Sequence, residues 1–250
     1  MIGDVLLVKG TKKAIPNTLV AAQKSIYIKA SSSHVAFSIG DGIFIHATSK
    51  HGVHLTFLPD ELETCKDGWR VIRLKNISST DEEKLTRHSV FYLRQNYNKK
   101  FMGSGRDDAS FCSELVAKIY RDANIKILKG REPSKIAPAH FDEQADLGTD
   151  WDDVTSEYTS LLIDIQNNEL PYRTYFNNIK GALAKRNMTS TMRAGIFQAL
   201  QLIASDSNDQ GLISLIESQK KHLEESRNLH FWDEMDTKPL VPKTDSKRTD

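Results

Sequence analysis

Cysteine is scarce in this chain: Cys65 and Cys112 are the two in 250 residues. Two thiols cannot build the disulfide framework of a small secreted domain, and they fit a reducing compartment as free thiols. An excess of one charge is missing as well. Lys and Arg number 34 against 33 Asp and Glu, a formal net charge of +1, which excludes a strongly basic nucleic-acid binder and an acidic disordered chain. No apolar run reaches about 18 residues, so no integral membrane segment is expected. Met1-Ile2-Gly3-Asp4 does not open a basic region leading into a hydrophobic segment, and the expectation is a cytoplasmic protein or one exported without a classical signal peptide. There are no repeats. The 39% of apolar residues leaves material for one sizeable domain with an appendage.

In chain order, Gly3-Asp4 opens Val5-Leu6-Leu7-Val8, an apolar run that reads as a buried strand. A helix capped by Asn17 is expected next, with Leu19, Val20 and Ile26 on its inner face. Two alternating stretches between His34 and Thr48 flank Gly40-Asp41-Gly42, which predicts a hairpin with a three-residue loop. With Ile39 opposite Ile43, His34, Ala36 and Ser38 share a face with Phe44, His46 and Thr48. Val35, Phe37, Ile39, Ile43 and Ile45 fill the other. The two histidines become diagonal neighbours with Cα atoms about 7–8 Å apart, within reach of a ring-to-ring hydrogen bond. Further strands are expected at 51–58, ended by Pro59-Asp60, and at 69–74. Thr80 and Glu83 form a capping-box signature for a helix ending near Asn96. Beyond a polar loop at 98–109, Ser110 reads as the N-cap of an amphipathic helix with Leu115, Val116, Ile119 and Tyr120 on its inner side. Extended pieces at 136–138 and 151–154 close a first domain, residues 1–157. Helical periodicity then predicts a helical domain at 158–235, broken at Asn167-Asn168, Asn187 and 205–208. Met192, Ile196, Leu200 and Ile203 form its inner stripe, and 236–250 reads as a disordered tail.

The chemistry centres on Cys112. A sulfur in the first turn of a helix faces unsatisfied amides and the positive end of the dipole, which favours the thiolate and lowers its pKa from a free value of about 8.5. A nucleophile of this kind needs a base and a group to orient that base. His34 is the candidate base, and His46, bonded to the other ring nitrogen of His34, is the candidate orienter. Spacing alone leaves His51, His54, His88, His140, His222 and His230 available too. His46, His51 and His54 are the alternative as metal ligands, but no HExxH or CxxC pattern accompanies them, and neither a metal nor a cofactor is expected. Glu114 points away from the sulfur on a helix, so a structural role is expected for it.

The pieces Gly3-Asp4-Val5-Leu6-Leu7, Ser33-His34-Val35-Ala36, Ile45-His46-Ala47 and Phe111-Cys112-Ser113-Glu114-Leu115-Val116 resemble the circularly permuted branch of the NlpC-type papain-like superfamily. Within that branch the pieces resemble the YiiX/YebB-like proteins, and they resemble lecithin:retinol acyltransferase distantly. The resemblance covers roughly residues 1–155 and implies Cys112 as nucleophile, His34 as base and His46 as third polar residue. The surroundings of Cys112 differ from the Asp-Cys-Ser-Gly of peptidoglycan-cleaving members of the unpermuted family. The expected fold is α+β: a papain-like antiparallel sheet packed on the helix that bears Cys112, followed by a helical domain. The expected function is a cysteine hydrolase that cleaves an amide through an acyl-enzyme, with peptides, including peptidoglycan stem peptides, ranked first as substrates. A lipid amidase, esterase or acyltransferase of the same fold, acting on an acyl-containing substrate, ranks second. The alternative from another class is a non-catalytic module that binds a protein partner through the helical domain.

Overall fold

The structure is a computed structural model that describes residues 1–9, 23–63, 65 and 68–226. The helix expected from Asn17 and the tail at 236–250 lie outside the described residues; 23–26 are helical. The chain divides into two compact units, Met1–Lys180 and Gly181–Asp250.

The first unit is built on a six-stranded antiparallel sheet of order β4-β3-β2-β1-β5-β8, made of β1 (Ile2–Val8), β2 (His34–Gly40), β3 (Ile43–Thr48), β4 (Gly52–Phe57), β5 (Arg70–Leu74) and β8 (Trp151–Asp153). Val5, Leu6 and Leu7 are all fully buried, because β1 lies inside the sheet with helices on both faces. A strand covered on both sides reads as an unbroken apolar run and not as an alternation. On one face pack α2 (Ser79–Phe91), α3 (Cys112–Asp122) and α4 (Pro138–Leu147), and the rings of Phe37, Tyr120, Trp151 and Phe141 succeed one another edge to face. On the other face, Leu6, Val8, Ala36, Phe44 and Val71 form a cluster with α1 (Leu58–Glu63) and with Tyr158 and Ile165 of α5 (Thr155–Asn167). Phe176, at the start of α6 (Glu169–Ser207), completes it. Asp4 is wholly buried beneath this layer, where it accepts from Arg73 at 2.8 and 2.9 Å and from the Tyr158 hydroxyl at 2.8 Å. A short parallel pair, β6 (Asn96–Tyr97) and β7 (Ala109–Ser110), brings the chain to α3.

Several local expectations are corrected. Pro59-Asp60 does not end a strand but opens α1, since proline is well placed in a first helical turn, where its missing N–H costs nothing. Pro138 does the same for α4, which closes on Gly148 in the left-handed region. The capping box of α2 is Ser78 with Asp81, not Thr80 with Glu83, and the helix ends at Phe91, short of Asn96. Asn187 does not interrupt α6. In the second unit, Met192, Ile196 and Ile203 are exposed and so do not form an inner stripe; among the described residues, Ala204 on α6 and Ile216 on α7 (Gln210–Ser226) are the buried apolar ones. Among the described residues, no helix is long and apolar enough to cross a membrane.

Candidate active site

Cys112 is the first residue of α3, with Phe111 in the N-cap position on extended backbone (φ −90°, ψ 171°). Ser110 is not the cap. Its hydroxyl donates to Gln95 at 2.6 Å and accepts from Lys118 at 2.9 Å, which ties β7 to the helix. The helix start is finished instead by Glu114, whose carboxylate accepts from the Phe111 amide at 3.3 Å and from the Asn98 side chain at 3.0 Å, and faces Lys118 at 3.2 Å. Lys118 spends its three hydrogens on Arg106 O, Ala109 O and Ser110 Oγ. This buried group clamps the loop that leads into Cys112, so Glu114 has a structural role.

Cys112 is buried, with 6% of the residue exposed. Burial pushes the thiol up, but the His34 imidazole and the amides of Val35 and Ser113 together outweigh it, and the net shift is downward. Tyr97 stands close by: burial and the nearby Cys112 charge push its phenol up to about 12, so it remains a donor at neutral pH.

The hairpin supplies the imidazoles. Phe37↔Ile45 and Ser38↔Phe44 pair as expected, but the turn is Asp41-Gly42 alone, and a bulge between Ser38 and Gly40 absorbs the residue that would otherwise flip the register. The bulge also breaks the alternation at the turn, so Ile39 and Ile43 join the cluster containing Phe44 and Phe176. His34 and His46 therefore share a face, with Nε2 of His34 2.9 Å from Nδ1 of His46. Pairing of β2 with β3 stops at Phe37↔Ile45, whereas β3 continues to Thr48 against β4. The Val35 amide beyond that point turns to the Cys112 sulfur. With Nε2 of His34 engaged by His46, Nδ1 is the nitrogen left for the sulfur.

Two further groups complete the arrangement. His54 lies directly opposite His46 in the β3–β4 ladder; their Nε2 atoms are 2.9 Å apart, and His54 Nδ1 is 3.0 Å from the Gly52 carbonyl. It is a strand residue, and reflecting His46 through the turn at 49–51 would have paired the two. His51 stays in the turn, its ring 5.3 Å from that of His54. Glu61, from α1, places Oε2 3.3 Å from His46 Nδ1 and Oε1 3.9 Å from His34 Nε2, and accepts from Thr56 at 3.2 Å. Burial pushes its carboxyl up, but bonding to His46, the two imidazole charges and Thr56 hold it at about 2. Glu61 and Tyr97 were not legible as site residues, since neither belongs to a periodic or spaced motif.

His34 Nε2, His46 Nδ1 and a Glu61 oxygen lie within 4.8 Å of one another, a donor set that could take a metal ion. Two imidazole nitrogens on a tetrahedral zinc stand roughly 3.3 Å apart, given Zn–N distances of about 2.0–2.1 Å. The 2.9 Å found is a hydrogen bond, and an ion would have to open it. Among the described residues, His46, His51 and His54 do not form such a group.

A family model described as permuted papain-like amidase enzyme, YaeF/YiiX, C92 family, matches residues 2–190. No curated protein and no solved structure matches the chain.

Proposed function

The chain belongs to the permuted papain-like amidase family, an enzyme family, and from that membership we propose that it hydrolyses an amide through an acyl-enzyme on Cys112. The observation that carries the reading is a depressed thiol at the start of α3 beside a histidine whose far nitrogen is held at 2.9 Å by a second histidine. His34 Nδ1 takes the thiol proton as the sulfur attacks the carbonyl carbon. The oxygen that gains the electron pair is met by the backbone N–H of Cys112, at the positive end of the helix, and by the Tyr97 hydroxyl. Collapse breaks the C–N bond, and His34 returns the proton to the leaving amine. Water, deprotonated by the same nitrogen, then releases the acid and regenerates the thiol. His46 and Glu61 stabilise the imidazolium that forms in each half-reaction. Peptides, including peptidoglycan stem peptides, rank first as substrates.

Intact-mass and peptide-mapping mass spectrometry of the full chain with a small activated ester tests the chemistry. The acyl mass is expected on the peptide containing Cys112 and is expected to persist longer in His34→Gln, because deacylation needs the same base. No adduct on Cys112 in either protein overturns the reading. A panel of muropeptides and short peptides, set against long-chain acyl lipids, tests the substrate. Turnover confined to the lipids overturns the ranking.

A further inference from the structure

The three histidines of the site stand in series behind one backbone carbonyl. We propose that His54 is a positioning residue: anchored on the Gly52 carbonyl, it fixes the tautomers of His46 and His34 so that His34 presents an unprotonated Nδ1 to Cys112. The proposal rests on the reading of Cys112 as nucleophile and His34 as base.

A carbonyl oxygen can only accept, so His54 Nδ1, 3.0 Å from Gly52 O, must carry a hydrogen. In the neutral ring the other nitrogen is then a lone pair, and His54 Nε2 accepts from His46 Nε2 at 2.9 Å. That leaves His46 Nδ1 without a hydrogen, able to accept from His34 Nε2, also at 2.9 Å. His34 Nδ1 is left as a lone pair on the sulfur side. The same order serves after proton transfer: His34 as imidazolium donates to the thiolate from Nδ1 and still donates to His46 from Nε2, so no neighbour has to switch during the reaction.

The direction needs His54 because Glu61 favours the opposite one. Its Oε2 lies 3.3 Å from His46 Nδ1, and a carboxylate there draws a hydrogen onto that nitrogen. With Nδ1–H on His46, His34 would have to accept at Nε2 and turn its own N–H towards Cys112, where it could not take the proton. His54 decides between the two states by offering a lone pair to the far end of His46. Burial lowers its pKa and outweighs the opposing bond to the Gly52 carbonyl and the opposing charge of Glu61, with His51 and His34 acting in the same direction as burial, which keeps it neutral and keeps that lone pair available. The anchor is rigid. Gly52 sits at φ +66°, a Cβ there would meet Gln95 O at 2.2 Å, and the next amide, Val53, donates to the same Gln95 oxygen at 2.8 Å.

Histidine tautomers can be read directly, without turnover, from two-bond ¹H–¹⁵N correlations of the ¹⁵N-histidine-labelled full chain near pH 8. The expected pattern is Nδ1–H for His54 and Nε2–H for His46 and His34. His54→Phe should move both His46 and His34 to Nδ1–H and slow acylation of Cys112 by a small activated ester on the order of 100-fold. His54→Gln, whose carbonyl can accept from His46 Nε2, should keep both tautomers and restore most of the rate. An Nε2–H tautomer for His54 in the wild type overturns the proposal, as does an unchanged His46 in His54→Phe or an equal loss of rate in the two variants. If Cys112 takes no acyl group at all while the tautomers and their response to His54→Phe are as described, the tautomer chain stands and the hydrolase reading fails.

Discussion

Replacing Glu61 by Gln removes one negative charge while leaving a side chain of the same shape between His46 and Thr56. The carboxylate stands 3.9 Å from His34 Nε2 and 3.3 Å from His46 Nδ1. At an effective dielectric of about 20, a unit charge pair at that separation from His34 is worth roughly 4 kcal/mol. Repulsion between Glu61 and the thiolate offsets part of this, so its net support for the thiolate–imidazolium form over the neutral pair is about 1–3 kcal/mol, a factor of roughly 5–150 in the share of that form. The assay is alkylation by iodoacetamide near neutral pH, followed on the Cys112 peptide with the Cys65 peptide as internal reference. In Glu61→Gln the Cys112 rate should fall by about 5-fold or more, and Cys65 should not change. A stability measurement checks the same charge independently. The Glu61 carboxyl is depressed from 4.5 to about 2 in the folded chain, so its contribution is fully present above 4.5 and is lost as the pH falls through about 2. That interval corresponds to about 3 kcal/mol at neutral pH, and the gap between wild type and Glu61→Gln should narrow as the pH falls from 4.5 towards 2. An unchanged alkylation rate would show that Glu61 is not coupled to Cys112 and does not stabilise an imidazolium on His34.

At pH 6, Cys112 should alkylate far faster than Cys65, and His34→Ala should abolish the difference; equal rates in the wild type would contradict an activated thiol. Gly52→Ala should lower the melting temperature sharply, because a Cβ at 2.2 Å from Gln95 O must push β4 off its neighbour, at a cost of about 3 kcal/mol or more; an unchanged melting curve would show that the turn relaxes freely. A fragment ending at Lys180 should fold cooperatively in urea, whereas one ending at Tyr158 should not. The shorter piece loses Ile165 and Phe176 from the core at about 1.5–3 kcal/mol each, and with them the partly buried Leu161, Leu162, Tyr172 and Ile179, a large share of a typical 5–15 kcal/mol margin; a cooperative transition in that piece would refute the packing argument.

What the sequence made legible follows the range of the interactions involved. The hairpin that unites His34 and His46 is local: alternation and the glycines at 40 and 42 set its pairing. Its bulge was not legible, yet it preserved the register, because pairing at Phe37↔Ile45 and Ser38↔Phe44 is held by buried side chains on both faces. The sulfur at the helix start was legible for the same reason, from the spacing of Leu115, Val116 and Ile119, although the cap was misplaced onto Ser110. Ser110 has the right chemistry for a cap, but a buried lysine and glutamine claim its hydroxyl. Glu61, Tyr97 and the packing of 158–180 on the sheet depend on contacts between distant segments, and residue periodicity holds no record of those. Pro59 was read as ending a strand and Pro138 as part of an extended piece, whereas both stand where a helix tolerates proline best.

The geometry also explains how Cys112 and His34 meet from opposite faces of one sheet. α3 packs against Phe37 through Tyr120, whereas His34 and His46 lie on the face occupied by α1 and α5. A continuous ladder would wall one from the other. Pairing of β2 with β3 ends at Phe37↔Ile45, three residues after His34, and there the Val35 amide bonds to the sulfur and not to the neighbouring strand. The end of the ladder is thus the aperture through which Cys112 meets His34. A residue that extended the pairing to Val35 would remove a donor from the sulfur and close that aperture, so the contact between Cys112 and His34 depends on the sheet being left unfinished at this edge.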